Sequence, residues 1–199
     1  MSDPRNIAAT VAILFLIATI GAFSDGPTPA EKQRVETEEL SLRQGEYFSL
    51  RLPEAWKLTE SERGMEATGP DGVSAVVYSI TSREHGFSSP SEHLRKVLGQ
   101  AKIAESKILD EVTLGTQMAT DGSEWTSAAI ELSFIYRGNR ARAWMVASVK
   151  QGFNEYDAVI HGYQTHIERF KSERPRLKRL HESVQLKQPT NWLPFTPPS

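Results

Sequence analysis

The 199-residue chain contains no cysteine. That excludes disulfides, thiolate zinc sites, cysteine nucleophiles and a lipid-modified cysteine anchor. It leaves the compartment open, because a cysteine-free domain tolerates either redox environment. A basic excess is missing too: 23 Lys and Arg against 25 Asp and Glu give a formal net charge of −2. Nucleic-acid binders usually carry a strong cationic surplus, so nucleic acid is not an expected partner. The chain has no Asn-x-Ser/Thr sequon, no Gly-x-Ser-x-Gly elbow, no phosphate loop and no dinucleotide fingerprint. Gly69-Pro70-Asp71-Gly72 is turn composition, and neither a lysine nor a helix start follows it as a phosphate cradle would need.

What is present suits one packed domain with accessory ends. Hydrophobic residues make up 39% and charged residues 24%, enough of the former to build a core. Ile7 to Phe23 is an uncharged apolar run of 17 residues. As a helix it rises roughly 26 Å, the short end of what spans a bilayer. The run is expected to be a membrane anchor within residues 1–24. A cleaved signal, cut after Ala22-Phe23-Ser24, is the rival reading, and it would give a secreted form. Arg5 before the run and Lys32 and Arg34 after it give little orientational bias. A single apolar start before a domain most often serves export, which puts the domain on the periplasmic or extracellular side. Residues 25–39, with Gly26, Pro27 and Pro29 and then mostly polar side chains, read as a tether.

From Leu40 the pattern turns to strands. Leu40 and Leu42 alternate, and Phe48, Leu50 and Leu52 share one face at period two. Pro53 ends that strand and Trp56 lies just past the turn, placed to cover an open core. Leu58 to Gly64 is polar. Met65-Glu66-Ala67 and Val73 to Ile80 read as a hairpin, and Thr81 to Ser89 as a loop. Ser89-Pro90-Ser91-Glu92 opens a helix with a cap, a first-turn proline and an acid three residues on. Leu94, Val97, Leu98, Ala101 and Ala104 give it an apolar face. Three strands follow, Ile108 to Met118, Trp125 to Tyr136 and Arg140 to Lys150, the last two joined by Arg137-Gly138-Asn139. Asp157 to Tyr163 is a strand or a helix start. Thr165 to Leu186 is largely helical, with Pro175 dividing the run or beginning a second helix. Residues 187–199 hold four prolines with Trp192 and Phe195, an extended tail suited to docking on the domain or a partner.

This order resembles the PsbP/MOG-type domain across about Leu40 to Leu186. The residues that carry it are Leu52-Pro53-x-x-Trp56, the Ser-Pro-Ser-Glu helix start, and a last helix closing on Leu180, Ser183 and Val184. The resemblance implies an α+β fold, an antiparallel sheet sandwiched by helices, expected here as one curled β layer roofed by two amphipathic helices. It also implies an exported or anchored protein without enzymatic activity. The lipobox cysteine of lipid-anchored relatives and the plant photosystem extension are absent, so the apolar run would do the anchoring and oxygen evolution is not implied.

No residue set forms a catalytic signature, and no cofactor or metal is expected. His161 and His166 are five apart near Glu168, a spacing that suits zinc poorly. The basic residues Arg174, Arg176, Lys178 and Arg179 on the last helix, with Arg140, Arg142 and Trp144 on a strand, are a possible interaction surface, as are Trp192 and Phe195. A solvated amphipathic helix face is the plainer explanation of the cluster. Three functions remain: a non-catalytic, membrane-tethered interaction domain with a protein partner; a small-ligand or lipid-binding module using the sheet–helix groove; and a hydrolase with a dispersed site.

Overall fold

The computed structural model describes residues 38–100, 104–118 and 122–187. The expected anchor at 7–23, most of the tether, and the tail with Trp192 and Phe195 lie outside them. Among the described residues no helix is long and apolar enough to cross a membrane. The architecture is α+β. A seven-stranded antiparallel sheet has the order β3-β4-β5-β9-β8-β7-β6. Its strands are β3 Lys57–Ser61, β4 Gly64–Thr68, β5 Ala75–His85, β6 Ala104–Met118, β7 Glu124–Tyr136, β8 Asn139–Gln151 and β9 Glu155–His166. Helix α1, Pro90–Gln100, packs on one face against β7 and β8, and α2, Phe170–Glu182, crosses the other against β9 and β5.

Two cores result, one on each face. Leu94 of α1 meets Ile130, Leu132, Phe134, Ala141, Ala143, Ala147 and Ile160. These apolar side chains recur at period two on β7 and β8, as the sequence requires. On the other face Phe170, Leu177 and Leu180 of α2 pack with Trp56, Met65, Ala67, Val76 and Tyr163. Trp56 is buried where expected, with its ring against Gly69. The two-residue turn Arg137-Gly138 has φ of 50° and 77°, the left-handed pair that joins twisted strands tightly.

The single β layer is corrected. The strand of Phe48, Leu50 and Leu52 belongs to a separate three-stranded sheet, β1-β2-β10. It comprises β1 Ser41–Gln44, β2 Phe48–Leu52 and β10 Gln185–Leu186. Its apolar face closes the α2-side core instead of extending the large sheet. Glu60 joins the two sheets, accepting from the backbone N–H groups of Tyr47 (3.2 Å) and Phe48 (3.1 Å) and from that of Glu46. The polar stretch 58–64 therefore contains a strand. As the outer strand of the large sheet it needs no apolar alternation to be stable there.

Other expectations shift at their edges. Strand β5 runs on through Thr81 to His85, with one extra residue bulged against β9 between Thr81 and Glu84. Ala104 starts β6 and is not on the helix. The segment of uncertain type is β9, hydrogen-bonded on both sides at the centre of the sheet. The final helix is shorter than Thr165 to Leu186 and is one helix, with Pro175 inside it. Proline there forgoes a single bond, to the carbonyl of the exposed Lys171.

The helix start at Ser89 is a reciprocal capping box. The Ser89 hydroxyl accepts from the Glu92 N–H (3.3 Å), and the Glu92 carboxylate accepts from the Ser89 N–H (2.9 Å). Ser89→Ala is expected to lower stability by about 1 kcal/mol, read as a lower urea midpoint with unchanged slope.

Candidate interaction surface

The α2 side of the large sheet collects the densest set of aromatic and ionisable side chains. Register sets the rows: Glu131, Trp144, Tyr163 and Val76 lie abreast on β7, β8, β9 and β5, and Val146, His161 and Tyr78 form the next row. Trp144 stacks on Tyr163 at 5.5 Å, and Tyr163 on Phe170 at 6.2 Å. His181, from the last turn of α2, meets Trp144 edge-on at 6.1 Å. Its Nε2 lies 2.7 Å from Nδ1 of His161, with the rings nearly parallel at 4.8 Å.

Burial fixes the protonation of these groups near neutrality. It holds His161 well below the usual imidazole range, aided by His181 beside it. It lowers His181 to about 4, with the Lys178 charge adding to the effect. Tyr78 is pushed up to about 12 by burial. Tyr163 rises to about 12 for the same reason, against the opposing charge and hydrogen bond of Arg174.

The structure brings three of the expected surface residues together here. Arg142 pairs with the buried carboxylate of Glu131 and lies 5.2 Å over the Phe170 ring. Arg174 donates to the Tyr163 hydroxyl at 3.2 Å, and the half-buried Trp144 stacks on that same tyrosine. Arg176 sits apart, over Trp56 at 5.5 Å and bonded through Nε (2.7 Å) and Nη2 (2.6 Å) to Glu38. Lys178 faces Glu182 at 3.6 Å, and Arg179 is half-buried along the same helix. Arg140 is exposed at the start of β8. Arg142 and Arg174 thus tie the helix to its own sheet, while Arg176 ties it to Glu38.

His161 and His166 point to opposite faces, as an odd separation on a strand dictates. His166 approaches Asp71 at 3.9 Å. Among the described residues no group of three His, Cys, Asp or Glu is arranged to hold a metal ion.

A second feature escaped sequence reasoning. One end of the large sheet exposes Phe87 (74%), Phe153 (89%) and Met118 (65%). Phe87 follows β5, Phe153 lies between β8 and β9, and Met118 ends β6. The two phenylalanine loops are fastened together: the Gly86 N–H donates to the Asn154 carbonyl (2.8 Å), and the Gln151 amide donates to the Gly86 carbonyl (3.1 Å). Two loop aromatics 66 positions apart carry no periodic signal. Only the Gly86 and Gly152 breaks beside them hint at tips.

No protein-family model matches the chain. No curated protein matches it either. Solved structures do. Cyanobacterial PsbP (CyanoP) from Synechocystis is similar at 9% identity and TM-score 0.43, over 75% of this chain and 94% of that one. LpqN, involved in cell envelope biogenesis of Mycobacterium tuberculosis, is similar at 14% identity and TM-score 0.38, over 82% of this chain and 100% of its own. PA94 of Pseudomonas aeruginosa, a protein of unknown function and putative regulator, matches at 14% identity and TM-score 0.38, over 76% and 99%. The described residues form an α+β sandwich.

Proposed function

We propose that this chain is a non-catalytic interaction domain of the cell envelope. Residues 7–23 hold it at the membrane, residues 25–39 act largely as spacer, and the domain of residues 40–186 faces the periplasm or exterior. The observation that carries this reading is the fastened pair of loops presenting Phe87 and Phe153 to solvent at one end of the sheet. Aromatic side chains exposed on a constrained support are characteristic of contact surfaces, because little conformational entropy is lost on binding. Arg140 and the helix cations Lys178 and Arg179 would supply a separate polar contact on the α2 side.

Membrane fractionation with N-terminal sequencing tests the proposal. The chain is expected in the membrane fraction with Met1 intact, released by detergent and not by salt. A soluble chain beginning at Asp25 would overturn the tether. A turnover abolished by one point substitution would overturn the non-catalytic assignment.

The groove reading has one observation in its favour. A cleft of about 320 Å³ lies between α1 and strands β6 and β7, lined by Arg95, Leu98, Gly99, Ser106, Ile108 and Leu132. Arg95, the cation among the described lining residues, already pairs with Glu111 at 2.8 Å. Native mass spectrometry of the gently purified chain decides: a co-purifying amphiphile favours the cleft.

A further inference from the structure

We propose that the Phe87 and Phe153 end of the sheet is a second membrane contact, inserting both rings into the interfacial layer of a lipid bilayer. The inference rests on the tethered-domain reading and names the partner of its exposed end.

The shape of this end selects lipid over protein. Phe87 and Phe153 lie in loop tips, at 74% and 89% exposure, flanked along the chain by Gly86, Ser88, Gly152 and Asn154. Protein hot spots instead sit near the centre of an interface, ringed by further contacts that exclude water. Two isolated prongs gain most from a medium that closes around them, as the bilayer interface does. The hydrogen bonds that fasten the two loops together hold both tips at the same end of the sheet, so one approach presents both. Met118, at the same end of the sheet, adds apolar surface to the rim.

Charge sets which lipid. Around the tips Glu124 and Glu155 are exposed, Glu84 is paired with Lys96, and Lys150 stands opposite Asp157. An acidic rim repels anionic head groups, so the contact is expected to be apolar, insensitive to salt and best on zwitterionic lipid. The tether does not restrict the approach. Fourteen residues, 24–37, separate the apolar run from the described domain and reach at most about 50 Å when extended.

The missing cysteines make the test direct. Asn154→Cys, beside the tips, or Asn139→Cys, in the turn at the other end of the sheet, gives a single nitroxide site in the full chain. Each labelled protein is mixed with phosphatidylcholine vesicles, and flotation is measured together with nitroxide accessibility to oxygen and to a water-soluble nickel chelate. The expected result is a several-fold higher oxygen-to-nickel ratio at 154 than at 139, abolished by Phe87→Ser with Phe153→Ser and unchanged by 0.5 M salt, about three to four times physiological ionic strength. Equal ratios at the two sites, or a high ratio at 154 that survives the double substitution, overturn the proposal. Flotation isolates the other reading: a chain that floats with equal ratios keeps its tether and loses this contact. A chain that fails to float and shows equal ratios loses both. Circular dichroism of the double variant verifies that these exposed substitutions leave the fold intact.

Discussion

Gly162→Ala is expected to destabilise the domain by about 3 kcal/mol, although it adds one methyl group. Gly162 lies on central strand β9, opposite Met145 on β8 and Val77 on β5. A Cβ there would stand 2.2 Å from the Trp144 carbonyl oxygen, 2.7 Å from the Met145 sulfur and 2.9 Å from the Met145 Cα. The thioether can swing aside, but the carbonyl and Cα are backbone held in the sheet. Relief therefore requires β8 and β9 to part at the middle of the sheet, where α1 packs on β8 and α2 on β9. In a chain of this size the loss corresponds to a melting temperature lower by roughly 6–12 °C. Gly99→Ala is the control. It sits in α1 with nothing within 4 Å of the added atom. There the same methyl is expected to stabilise by about 0.5–1 kcal/mol through helix propensity. If thermal unfolding shows both substitutions to be neutral, the close approach at Gly162 is not a constraint on the fold.

That glycine also marks where the sequence stops being readable. Strands β7 and β8 were legible because their α1-side positions, Ala128 to Phe134 and Ala141 to Val149, alternate against outward side chains. Strand β9 was not. Both of its faces are covered, so His161, Gly162, Gln164 and Thr165 are all buried and no alternation survives. Strand β3 failed for the opposite reason, since an edge strand carrying Lys57, Thr59 and Ser61 needs no apolar face. Phe48, Leu50 and Leu52 were correctly read as a strand, but alternation identifies which side chains turn inward and not which sheet the strand joins. Its pairing with β1 and β10 decides that.

The interaction residues were legible to the same partial degree. A basic helix face and an Arg-x-Arg-x-Trp strand stand out in the sequence, and Arg142, Trp144 and Arg174 do converge. Their convergence point, the Tyr163 and Phe170 rings, depends on β9 being a strand, and so could not be foreseen. Likewise His161 and His181 are 20 positions apart on a strand and a helix. No spacing rule joins them, and only the crossing of α2 over β9 does.

That histidine pair makes the fold acid-sensitive in a defined window. Between two neutral imidazoles one nitrogen donates and the other accepts across 2.7 Å. Protonating either ring buries a cation among Tyr78, Trp144 and Tyr163, with Lys178 on α2 adding repulsion toward His181. Protonating both removes the acceptor and sets two cations in contact. Folding lowers both pKa values, so below about 6.5 the unfolded chain takes up protons that the folded chain refuses. Stability is complete above that pH and falls as pH drops toward about 4, the value to which His181 is lowered. For His181 the loss over that window is on the order of 3 kcal/mol, and His161 adds in the same direction. Against a typical total of about 5–15 kcal/mol this is a large fraction. The carboxylates held low act only at the foot of this window: Glu92, lowered by its hydrogen bonds from Ser89, begins to lose its contribution near its ordinary value of 4.5. Asp71, lowered to about 2 because the hydrogen bonds from Ser74, Val73 and Arg169 outweigh burial, loses its contribution only below about pH 4. His93 does titrate in the same sense, burial holding it low, and so forms the background. His181→Gln removes one titrating group while retaining an amide able to reach His161. Urea unfolding at intervals from pH 4 to 7.5 is expected to show a steep decline below pH 6.5 in the parent. The substitution should reduce that slope by up to about 1.4 kcal/mol per pH unit, the value for a single proton. An unchanged slope would mean that the α2–β9 contact is not what acid attacks.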